Sequence, residues 1–60
     1  MVILQFELTE DQAEALAQFV KRVSWHDWRQ NAVDDDEAYR MRFAFDQLQK
    51  ALWRAGFCPR

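Results

Sequence analysis

Sixty residues with ten acidic and eight basic side chains (net charge −2) make one small domain at most, residues 1–60. Half the residues are hydrophobic and 15% are aromatic, a composition that excludes disorder. A single cysteine and a single histidine exclude an internal disulfide and a four-ligand structural zinc site, and no apolar run approaches the roughly 20 residues of a membrane span.

The chain opens with Val2, Leu4, Phe6 and Leu8 alternating with Ile3, Gln5 and Glu7. This period of two predicts a short strand with one buried face. The N-terminus lacks the basic region and apolar stretch of a signal peptide. Thr9 then reads as a helix N-cap, with Gln12 at capping-box spacing and Glu10 and Asp11 in the first turn. Leu8 before the cap and Ala13 at the fourth helical position have the spacing of a small hydrophobic staple. The first helix is expected from about Glu10 to about Arg22. Leu16, Val20 and Val23 lie with Ala13 on one face, Phe19 lies beside them, and Lys21 and Arg22 close the last turn, where cations suit the helix dipole.

Ser24 can cap a second helix, with Asp27 three residues on. The fragment from Trp25 to Arg29 is too short to persist alone, so its tryptophans must hold it by packing; Asn31 is its terminator. Asp34 caps the third helix, with Glu37 in the capping-box position. Ala38, Met41, Phe45, Leu48, Leu52 and Ala55 recur at spacings of three and four, one continuous seam over about Asp35 to Ala55. Gly56 suits the left-handed position after the helix, and Pro59 bars its continuation.

Two features stay open at this level. Tyr39, Phe43 and Trp53 lie off the seam, so either the second helix folds over them or they meet another chain. The strand needs a hydrogen-bonding neighbour, for which the chain offers only Ala32-Val33, the tail from Phe57 to Arg60, or the same strand of a second copy. The expected fold is α+β and mostly α: one short N-terminal strand followed by three helices, the last one long. Helices one and three pack antiparallel through Leu16, Val20 and Val23 against Met41, Phe45, Leu48 and Leu52, and Leu4 and Phe6 cover one end.

No constellation suggests catalysis. His26 and Asp27 are adjacent but have no nucleophile beside them and point apart on a helix. Cys58 lacks the helix N-terminus or strong cationic surroundings that activate a thiol. No cofactor or metal is expected; the acidic run has no calcium-loop spacing. The aromatics with Lys21, Arg22, Arg29, Arg40 and Arg42 have the ingredients of a single-strand stacking platform. Charge is segregated, however: −4 over residues 1–20, +2 over 21–33, −4 over 34–37 and +4 over 38–60, unlike a uniformly basic nucleic-acid binder. Capping uses one or two acids, so the run Asp34, Asp35, Asp36 and Glu37 exceeds local need. Together with Glu7, Glu10, Asp11 and Glu14 on one side, it would make an eight-acid surface able to follow a phosphate track.

Leu8-Thr9 through Gln12-Ala13, the stretch Ala15 to Val23, Ala32-Val33-Asp34, Glu37-Ala38-Tyr39, and the ending Ala51-Leu52, Ala55-Gly56-Phe57, Pro59-Arg60 carry a resemblance. The chain resembles a family of short uncharacterised proteins encoded in proteobacterial genomes, phages and integrated mobile elements. It is also similar in format (size, acidity, no catalytic motif) to anti-CRISPR proteins, several of which mimic DNA. That context implies a non-enzymatic inhibitor in the bacterial host cytoplasm. It would bind a bacterial defence complex, a CRISPR effector foremost, through Asp34, Asp35, Asp36 and Glu37, with Glu10, Asp11 and Glu14 next. The alternatives are a homodimeric accessory or regulatory protein built on the strand or the Tyr39/Phe43 face, and a single-strand nucleic-acid module using Trp25, Trp28 and Arg29.

Overall fold

The computed structural model describes residues 1–57 as three helices: α1 (Glu10–Arg22), α2 (Trp25–Gln30) and α3 (Asp35–Arg54). Local chemistry sets each start. Thr9 Oγ1 accepts from Gln12 N–H at 3.1 Å while Gln12 Oε1 accepts from Thr9 N–H at 3.0 Å, a reciprocal capping box. Asp27 accepts from both Ser24 N–H and Ser24 Oγ at the start of α2. Asp34 accepts from Glu37 N–H at 2.8 Å at the start of α3. Glu37 departs from the expected box, since its carboxylate reaches one residue further back to Val33 N–H. The end of α3 is a complete Schellman motif: Gly56 sits at φ 96°, Gly56 N–H donates to the Trp53 carbonyl, and Phe57 N–H donates to the Leu52 carbonyl. The helix stops at Arg54 with Ala55 as its cap, one residue short of the expected end.

The expected N-terminal strand does not form, and the described residues are all-α in class rather than α+β. The side chains alternate as predicted, but alternation selects a face and supplies no hydrogen-bonding neighbour. Of the neighbours foreseen within the chain, Ala32, Val33 and the first tail residue Phe57 have their amides engaged. Ala32 N–H donates to the Arg29 carbonyl, Val33 N–H to Glu37, and Phe57 N–H to the Leu52 carbonyl. Cys58, Pro59 and Arg60 lie outside the described residues. No described residue hydrogen-bonds the backbone of residues 1–8.

Helices α1 and α3 pack antiparallel. Ala13, Ala17, Val20 and Leu52 form the buried cluster, with Leu16, Phe45, Leu48 and Phe57 partly buried against it. Val20, Leu16, Phe45, Leu48 and Leu52 keep their expected core roles, whereas Val23 and Met41 are only half-buried and stand outside the cluster. Ala13 is buried on the expected face, and Ala17, one turn on, joins it as a core residue that the expected packing did not include. The resulting core is thin: among the described residues no large side chain is fully buried, and the shortest dimension of the molecule is 15 Å.

Candidate functional site

The acidic residues predicted as one surface fall at two ends of the molecule. Antiparallel packing sets the start of α1, with Glu10, Asp11 and Glu14, beside the end of α3, where Ala13 and Leu16 share a groove with Leu52 and Phe57. Asp35 and Asp36 lie at the other end of α3, about 25 Å along its axis from Leu52 at 1.5 Å per residue. The two acidic groups therefore stand apart along the molecule rather than in one cluster. Within the run at residues 34–37, Asp34 and Glu37 are engaged in capping, and Asp35 Oδ1 lies 2.6 Å from Arg29 Nε. Arg29 also donates to the Ala32 carbonyl, so this pair ties α2 to the start of α3. Asp36 is the member of the run with neither an ion pair nor a capping bond among the described residues.

The outer face of α3 presents a different surface. Tyr39, Phe43 and Trp53 are 47, 62 and 47% exposed. At 100° per residue they share an arc of about 80° and span about 21 Å along the helix. Arg42 and Lys50 fall on or beside the same arc and Arg40 and Arg54 flank it, all exposed, with Asp46 between them and Asp35 and Asp36 at the N-terminal end of the same side. None of these four cations is ion-paired among the described residues. The second helix covers this face only at its start: the Trp25 ring packs on Tyr39 with centroids 4.7 Å apart, leaving both partly exposed, and it does not extend to Phe43. The open choice between cover by α2 and an outside partner is thus divided along the helix, with Tyr39 partly covered and Phe43 uncovered.

Trp28 and Asp27 serve the fold. Trp28 turns inward, its ring 6.0 Å from Phe45 and its Nε1 buried without a partner among the described residues, which removes it from any stacking platform. Asp27 is held below its ordinary pKa of 3.8, first by the Ser24 backbone N–H, then by Ser24 Oγ, with His26 a smaller charge contribution. His26 and Asp27 make no catalytic pair: the Asp27 carboxylate is turned to Ser24. Cys58 lies outside the described residues. No group of three or more potential metal ligands gathers among the described residues, and no helix is long and apolar enough to cross a membrane.

Sequence reasoning missed an apolar groove of about 350 Å³, with Leu4, Phe6 and Leu8 on one side and Leu16, Leu52 and Phe57 on the other. Gly56 was the available signal. The Schellman turn it permits folds the following apolar residue back onto the helix, which places Phe57 in the groove wall.

No curated protein and no solved structure matches the chain. A match does cover residues 1–60, and by it the chain belongs to a family of unknown function, DUF7706.

Proposed function

We propose that this chain is a non-catalytic protein-binding module that lays the outer face of α3 in an apolar groove with acidic rims on a larger bacterial protein complex. The observation that carries the reading is the exposure of Tyr39, Phe43 and Trp53 along one helix face, interleaved with Arg42 and Lys50, which have no ion-pair partner among the described residues. Aromatic anchors at helical spacing are how an amphipathic helix engages a groove, and Tyr, Trp and Arg dominate the energetics of such contacts. The cations fix the sign of the rim. A net charge of −2 and the inward turn of Trp28 favour a protein partner over single-stranded nucleic acid. The setting we assign is the bacterial cytoplasm, where a lone cysteine stays reduced.

A second reading keeps the acids as the working surface. The chain would then inhibit a bacterial defence complex, such as a CRISPR effector, by occupying its DNA site. Exposed Asp36 beside Asp35 favours it; the separation of the two acidic groups and the Arg29 pair weaken it. Capture from bacterial lysate on the immobilised chain, followed by mass spectrometry, separates the two. The helix-face reading expects Phe43→Ala with Trp53→Ala to lose the captured complex and Asp35→Lys with Asp36→Lys to keep it. The opposite pattern establishes the acidic reading and ends the first. Retention by both variants ends both.

A further inference from the structure

We infer that the N-terminal segment is an intermolecular strand: residues 2–8 pair antiparallel with the same residues of a second copy, and the two-stranded ribbon closes both apolar grooves. Surface, backbone pairing and the adjoining groove point there. The chain exposes 5323 Å² of surface, whereas a compact monomer of 7.2 kDa presents roughly 4,100 Å² by surface-to-mass scaling. The excess of about 1,200 Å² per copy is ample for one side of a standard interface, about 800 Å². Much of it lies in one place, with Val2, Leu4 and Phe6 at 86, 77 and 63% exposure. The backbone of residues 1–8 is without a hydrogen-bond partner among the described residues, where the amides of Ala32, Val33 and Phe57 are already engaged. The groove beside it is lined by the segment's own Leu4, Phe6 and Leu8, so the apolar side already faces a core that it covers incompletely.

The second copy is the occupant because the segment is complementary to itself. Antiparallel pairing puts directly opposed residues on the same side of the ribbon. Keeping the apolar residues together requires opposed positions of equal parity, and centring on Gln5 pairs the whole run. Val2 then faces the partner's Leu8, Leu4 the partner's Phe6, Ile3 the partner's Glu7, and Gln5 the partner's Gln5. The only charge of the segment, Glu7, is kept about 13 Å from its symmetry mate at 3.3 Å per residue. The outer face of α3 fails the same test. Antiparallel self-pairing there would bring Arg40 and Arg42 of one copy against Lys50 and Arg54 of the other.

The test is the full-length chain by sedimentation equilibrium and by a register-specific cross-link. The wild type should sediment at twice 7.2 kDa. Leu4→Lys with Phe6→Lys should sediment as a monomer that retains helical circular dichroism. Should that variant unfold, the cross-link decides alone. In a Cys58→Ser background, Gln5→Cys should oxidise to a covalent dimer, because opposed residues sit within disulfide reach, whereas Glu7→Cys should not. A monomeric wild type at millimolar concentration overturns the inference. So does a dimer in which Gln5→Cys fails to cross-link, or one that is lost on Phe43→Ala. Only the Phe43→Ala outcome bears on the α3 surface, which it would make the self-interface; the others leave that surface to its own test, partner capture.

Discussion

At the scale of single residues, the acidic run separates into members with different duties. Asp34 bonds the Glu37 amide, so Asp34→Ala should cost about 1 kcal/mol, the usual size of an N-cap loss. In a 60-residue domain that is a fall in Tm of about 4–8 °C. Asp36→Ala makes no such bond and should stay within about 0.5 kcal/mol of wild type. Thermal denaturation by circular dichroism checks both, and equal effects would refute the division of roles. The Arg29–Asp35 pair is largely exposed at both ends and adds about 0–1 kcal/mol at most, so its value lies in orienting α2 rather than in stability. Asp27 gives the pH-dependent case. Its folded-state pKa lies below the unfolded value of about 3.9, so its contribution is whole above that value and fades as pH falls through the folded pKa. The stability difference between wild type and Asp27→Asn should therefore be largest at neutral pH and shrink toward zero in acid. A difference that persists unchanged at low pH would show that Asp27 acts by another route.

At the scale of elements, what the sequence revealed and what it concealed divide by the range of the interactions. The three helices and their starts were legible because Thr9 with Gln12, Ser24 with Asp27, and Asp34 with Glu37 each act within three residues. The stop at Gly56 was legible for the same reason. The failure of the expected strand to form was not, because pairing is decided by which distant amides are still unengaged. The outer face of α3 could be read from helical angles alone, whereas the capture of Asp35 by Arg29 depends on how the α2–α3 turn folds. Core sizes were hidden as well: Ala17 and Ala38 are buried, positions where periodicity marks a face without stating how closely the helices meet. Ala38 is 0% exposed, so Ala38→Leu should overpack the start of α3 and cost about 1–3 kcal/mol in urea denaturation. Ala44→Leu, on an exposed position of the same helix, should be near neutral. Gly56→Ala meets no side-chain clash, so its penalty is that of the left-handed backbone alone, about 1–2 kcal/mol.

At the scale of the whole molecule, the two surfaces lie on opposite sides of α3. The groove is walled by Leu48, Ala51 and Leu52, while Tyr39, Phe43 and Trp53 point the other way, roughly 170° around the helix. A dimer closed through the N-terminal ribbon would thus leave both α3 faces outward and make the binding module bivalent, raising avidity without a new contact. The same arrangement accounts for how so short a chain holds together. Its buried cluster has only Val20 and Leu52 as large members, and a domain of this size is marginal without a staple or a partner. Association supplies the missing burial only to folded copies, so stability must follow concentration by mass action. For a dimer of 60-residue chains, each tenfold increase in concentration adds about 1.4 kcal/mol per dimer against an unfolding entropy of roughly 250 cal/mol/K, a rise in Tm of about 5 °C. Melting curves over a hundredfold range in concentration should therefore shift upward by about 10 °C for the wild type. Leu4→Lys with Phe6→Lys should melt lower and at one temperature throughout. A wild-type Tm that ignores concentration would mean that the thin core of α1 and α3 is self-sufficient, and that the exposed N-terminal residues contribute nothing to holding the fold.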